Sequence, residues 1–192
     1  GLLLDHMDET GLWDTTTIML WSDHGYQLGE KLAFHKFTPW ERSLRVPVMV
    51  AGPDIKPSII DEPISLIDLA PTLMTLAGQP IPDQFSGQDL AQLLNDEPCK
   101  TRGYATAVWL NTDKETKDYR MVLSSRNATH RYIFYWDGSE ELYDHTTDPY
   151  EHNNLLKDVG EDAPPDLQAI RESLMDHLPY DIAEPTRTAN DL

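Results

Sequence analysis

The chain of 192 residues carries one cysteine, Cys99, so no disulfide forms within it and none stabilises its fold. Basic residues are scarce, with 15 Lys and Arg against 33 Asp and Glu and a formal charge of −18. So acidic a chain lacks the positive surface that nucleic acid or anionic membranes require, and we expect it to bind no nucleic acid. No apolar run approaches the ~18 to 20 residues that span a bilayer, and no membrane span is expected. No glycine-rich phosphate loop, no G-x-S-x-G elbow and no H-x-x-x-H pair occurs. What remains is ordinary globular composition, 40% hydrophobic and 25% charged, at a length that can bury a core unaided. An anionic ligand is still compatible with this charge if a metal ion or selected basic residues make its pocket locally positive.

Residues 2–12 read as the tail of a helix, with Leu3, Leu4 and Met7 on one side and Gly11 ending it. No charged, then apolar, leader precedes them, and the chain is expected to be the C-terminal part of a longer protein. Thr15 to Trp21 is β-branched and then apolar without alternation. That pattern predicts a strand covered on both faces, as in a parallel sheet flanked by helices. Ser22 to Trp40 is polar and aromatic and is expected to be a long functional loop containing one short helix at most. A second strand is predicted after Pro47. A helix over 65–78 follows, capped by Asp68, with Pro71 in its first turn and Gly78 at its end. Ser65 is the rival cap. A shorter helix is expected near 86–94.

Beyond 95–103 the texture changes to short strands, predicted over 104–110, 119–124, 131–136 and 141–143, with an Asp137-Gly138 hairpin. A helix over 165–178 is expected to cover one face of that sheet, and the tail after Pro179 to be poorly ordered. The expected fold class is α/β. Residues 1–98 would complete a parallel-sheet domain, and 99–192 would form an antiparallel subdomain with a terminal helix.

Chemistry concentrates at Ser22-Asp23-His24-Gly25. In open α/β sheets ligands gather at the carboxyl ends of strands. An adjacent carboxylate and imidazole suit a divalent metal, provided the backbone turns, which Gly25 would ease. The plainer alternative has Asp23 capping the loop and His24 bonding locally. In Phe34-His35-Lys36-Phe37, Lys36 could grip a sulfate or phosphate oxygen near a metal or be an ordinary surface lysine. Cys99, near Arg102, follows an acidic, proline-containing linker and is read as structural or incidental, not as a nucleophile.

Several segments, in order, resemble the C-terminal half of a sulfatase of the alkaline phosphatase superfamily. They are Trp21 to Glu30, Lys36, Arg45-Val46-Pro47, Ile64 to Leu73, Glu141-Leu142-Tyr143-Asp144, Asp148-Pro149 and Asn153-Asn154-Leu155. The Asp-His pair and Phe-His-Lys-Phe look most like iduronate-2-sulfatase and related bacterial sulfatases.

The resemblance implies that Asp23 and His24 are metal ligands, that Lys36 binds a sulfate oxygen and that His35 contacts substrate or leaving group or is structural. It implies a Ca2+ ion and a formylglycine nucleophile made in a C/S-x-P-S-R motif. This sequence has no such motif, so the nucleophile is expected in a missing N-terminal half. Hydrolysis of a sulfate ester of a small molecule or saccharide is the implied activity. The rival enzyme reading is a phosphonate monoester or phosphodiester hydrolase using Mn2+ or another transition metal. The rival from another class is a non-catalytic binding module that keeps the fold. A periplasmic, secreted or lysosome-like location fits the resemblance, and these residues carry no address of their own.

Overall fold

A computed structural model describes residues 1–95, 97–112, 119–159 and 162–178. They form two compact units, Gly1–Asp23 with Val46–Thr101, and His24–Arg45 with the described residues from Arg102 onward. The last division between the units falls at 101/102. The loop 24–45 groups with the second unit, an association that the sequence did not signal.

In the first unit, helix α1 spans Leu2–Thr10 and buries Met7. Gly11 ends it at φ 69°, its N–H donating to the Met7 carbonyl as the expected C-cap. Strands β1 (Ile18–Trp21) and β2 (Val48–Ala51) follow. They pair antiparallel with each other, Ile18 opposite Ala51 and Trp21 opposite Val48. Parallel pairing was expected from their unbroken apolar runs. Such a run reports faces that favour burial and is silent on the direction of the neighbouring strand. In this unit Leu20, Trp21 and Met49 are about half exposed.

The predicted helix at 65–78 divides into a 3-10 turn, Leu66–Asp68, and helix α3, Leu69–Leu76, after the four-residue helix α2 at Glu41–Leu44. Both proposed caps are used. Ser65 and Asp68 form a reciprocal capping box around the 3-10 turn, and Asp68 is also the N-cap of α3. The change of pitch keeps Pro71 in the first turn of α3, where its missing N–H costs nothing. Buried Asp68 also accepts a hydrogen bond from the Gln88 N–H at 2.7 Å, fastening the following loop and helix α4 (Ala91–Leu94).

The second unit is built on an antiparallel sheet of four strands in sequence order: β3 (Tyr104–Thr112), β4 (Tyr119–Asn127), β5 (His130–Tyr135) and β6 (Glu140–Asp144). Asp137-Gly138 makes the predicted turn between β5 and β6, with Gly138 at φ 82°. Successive side chains point to opposite faces of a strand. Leu123, Tyr132, Phe134 and Leu142 therefore share one face, packed with Leu174 of helix α5 (Pro165–Met175) and with Leu156 and Ala163. Val122, Ile133 and Tyr143 share the other, where Trp40 of the loop packs. The covering helix was expected; the loop covering the opposite face was not. The expected disordered tail lies outside the described residues. No helix among the described residues is long and apolar enough to cross a membrane.

Candidate functional site

The loop that leaves β1 folds back on itself. Gly25 N–H donates to the Ser43 carbonyl at 2.8 Å, Gln27 N–H to that of His35 at 3.1 Å, and Gly29 N–H to that of Ala33 at 3.0 Å. The result is a two-armed hairpin with its tip at 29–33. Gly25 does not have a positive φ, and its role differs from the expected turn. A Cβ there would lie 2.0 Å from the Arg42 carbonyl oxygen, so only glycine lets the two arms approach.

This closure brings two of the predicted site residues together. His24 Nδ1 lies 2.8 Å from its neighbour's carbonyl, Gly25 O, and Lys36 Nζ lies 2.7 Å from His24 Nε2. A carbonyl accepts only, so Nδ1 carries the proton and Nε2 presents its lone pair to the ammonium. Lys36 is half-buried, its Nζ 5.6 Å from the centre of the Phe37 ring. His35 is exposed, with its backbone held by Gln27. Asp23 is exposed at the end of the first unit, one residue before His24. The chemistry of this donor set fits a divalent cation. An imidazole whose Nδ1–H is held by a backbone carbonyl is the arrangement that fixes a metal-binding tautomer.

Two polar clamps, which sequence reasoning missed, hold this hairpin on the β4–β6 face. In the first, Lys31 at the tip lies over the rings of Trp40 and Tyr143, 4.3 and 4.1 Å from their centres, and donates to the Tyr143 hydroxyl at 2.7 Å. Trp40 Nε1–H and the Tyr143 hydroxyl both donate to Glu141, at 2.8 and 2.7 Å. In the second, Arg131 on β5 donates to Glu41 at 2.5 Å, to Glu151 at 2.7 Å and to Ser124 at 2.9 Å. Glu41 N–H donates to Glu151, and His145 Nε2 lies 2.8 Å from the same carboxylate.

Burial pushes the Glu41 and Glu151 carboxyls up. For Glu41 the charge and hydrogen bond of Arg131 with the charges of His145 and Arg126 together outweigh it, and for Glu151 the His145 hydrogen bond, the Arg131 charge, the Glu41 N–H and the His145 charge together do, so both sit below the usual range. Glu41, His145 and Glu151 are spaced closely enough to hold a metal. The Arg131 guanidinium already occupies their convergence, and the group is an ion-pair network. One signal for these clamps was available. Alternate residues of a strand share a face, so Glu141 and Tyr143 must stand together, as must Arg131 and Ile133. Nothing near Lys31 or Glu41 in sequence points to partners about a hundred residues away.

Similarity to known proteins places this mixed α/β chain among the sulfatases of the alkaline phosphatase superfamily. The sulfatase family model matches residues 1–79. A sulfatase of Formosa agariphila is 33% identical over 155 residues, covering 80% of this chain and 29% of that protein. An ulvan-active sulfatase of the same organism is 31% identical, covering 96% of this chain and 36% of its own length. The solved structure of a 2-O GAG sulfatase superposes with a TM-score of 0.76 at 26% identity, over 95% of this chain and 43% of that one. The phosphonate monoester hydrolase of Agrobacterium radiobacter shares the fold, with a TM-score of 0.75 at 22% identity, over 92% of this chain and 36% of that one. The chain belongs to the sulfatase family. It spans about a third of the length of the curated relatives it matches.

Proposed function

We propose that this chain supplies part of the active site of a sulfatase acting on a sulfate ester of a saccharide. The contact between Lys36 and His24, 2.7 Å, carries the reading, because it sets an ammonium against the nitrogen of a candidate metal ligand. Both can then serve one oxyanion. Asp23 and His24 would hold the divalent cation, taken as Ca2+, which when bound supplies positive charge to polarise a sulfate oxygen. Binding the cation through Nε2 requires Lys36 to leave that lone pair, which frees its N–H donors for a sulfate oxygen. The Gly25 carbonyl keeps the His24 Nδ1 proton in place throughout. Lys36 stabilises negative charge on the transferring group, and His35, exposed beside it, contacts the leaving group. The nucleophile, a formylglycine in this reading, comes from outside the 192 residues, which contain no C/S-x-P-x-R motif. The ulvan-active and GAG-directed names of the relatives favour a saccharide over a simple aryl ester.

The test is kinetic and is made on the intact enzyme. Turnover of a sulfated saccharide should require a divalent cation. Asp23→Ala should abolish both bound metal and activity. Lys36→Ala should cost about 2 to 4 kcal/mol of transition-state stabilisation. The shared fold of the phosphonate monoester hydrolase supports a second reading. Faster turnover of an aryl phosphonate than of an aryl sulfate, with a bound transition metal, would establish that one instead. An intact protein without a C/S-x-P-x-R motif and without turnover would be a binding module.

A further inference from the structure

Lys31 takes no part in the chemistry just described, yet its side chain is fully engaged at the hairpin tip. Its side chain is 14% exposed, enclosed by Trp40 and Tyr143, and 3.9 Å from Glu141. Its backbone has φ 52°, and that of Leu32 has φ 60°, a left-handed conformation that both side chains disfavour. Two consecutive non-glycine residues hold such a conformation only where surrounding contacts over-determine it. Leu32 is 93% exposed and contributes little packing, so the contacts that impose the conformation are those of Lys31.

His24 and Lys36 lie on opposite arms of the hairpin, and the tip that joins the arms is pinned to β6 through the Lys31 side chain. We propose that Lys31 is a positioning residue, a cation plugged into the Trp40–Tyr143–Glu141 cage that fixes the hairpin tip and thereby sets Lys36 against His24. The cage is built for a cation. Its two rings present their negative faces, and its carboxylate is already satisfied by Trp40 and Tyr143. Burial lowers the Lys31 pKa, with the Glu141 charge opposing it. The ammonium has therefore given up water for the cage.

The catalytic consequence rests on the assignment of Lys36 above, and the experiment separates the two. In the intact enzyme, Lys31→Ala should speed hydrogen exchange of the Gln27 and Gly29 amides by roughly tenfold or more, while the β5 amides keep their protection and so report an intact fold. It should also lower kcat on the order of tenfold with a smaller change in KM, because the lysine is displaced from the transferring group. Lys31→Arg keeps the cation and the ring contacts and should restore most of the rate. Lys36→Ala introduced into the Lys31→Ala enzyme should cost much less than it costs in the wild type, since the two act in series. Unchanged exchange at Gln27 and Gly29 would overturn the proposal, and so would losses that simply multiply. If Lys36→Ala alone leaves the rate untouched, the sulfate-gripping assignment fails, and the exchange measurement by itself upholds or overturns the anchor.

Discussion

Replacing Arg131 by methionine should be among the most damaging single changes in the second unit. Arg131 is 4% exposed and is the hub of the Glu41–Glu151–His145 network. Its removal leaves two carboxylates buried, Glu41 at 8% exposure and Glu151 at 1%. Breaking a buried pair by deleting one partner costs about 3 to 5 kcal/mol, mostly the uncompensated charge left behind. His145 stays 2.8 Å from Glu151, and Arg126 stays 3.7 Å from Glu41. They soften the loss, so the expected value is near the lower end, about 3 kcal/mol. In a protein of this size that lowers the melting temperature by roughly 6 to 12 °C. The diagnostic variant is the triple change Arg131→Met, Glu41→Gln and Glu151→Gln. It removes the stranded charges and should recover part of what the single change loses. Denaturant unfolding of wild type, single and triple variants decides the matter. A single variant within 1 kcal/mol of wild type, or a triple variant no better than the single, would refute the argument.

Two further outcomes follow from the same network and hairpin. Glu41 and Glu151 have folded-state pKa values below the ordinary 4.5, so the stability they contribute is complete above that pH and is lost as pH falls through their lowered values. Unfolding free energy should therefore drop steeply in that acid window, by up to about 2.7 kcal/mol per pH unit for two protons taken up, and less steeply in Glu151→Gln, as read by denaturant unfolding at each pH. Gly25→Ala places a methyl against the Arg42 carbonyl and should cost about 1 to 3 kcal/mol while separating His24 from Lys36. Activity lost at unchanged secondary structure, read by circular dichroism, is the expected signature.

The local features were readable because local chemistry decides them. Gly11 ends α1, the strand begins after Pro47, Asp137-Gly138 turns a hairpin, and short strand-like runs without an intervening long helix mark β3 to β6. Each depends on backbone preferences within a few residues. The candidate site was readable for a different reason. Asp23 and His24 are neighbours in the chain, and Lys36 follows within one loop, so no long-range fold was needed to bring them into one sentence of sequence. The tertiary structure decided what no local preference encodes. It set β1 antiparallel to β2, because strand direction depends on which neighbour is captured. It gave Gly25 a steric role in place of a turning one, because the obstacle is the carbonyl of Arg42, 17 positions on. And it paired Lys31 with Tyr143 across 112 positions and Glu41 with Arg131 across 90. A buried ion pair leaves no periodic trace in sequence, since each charge reads as solvated until the fold removes the water around it.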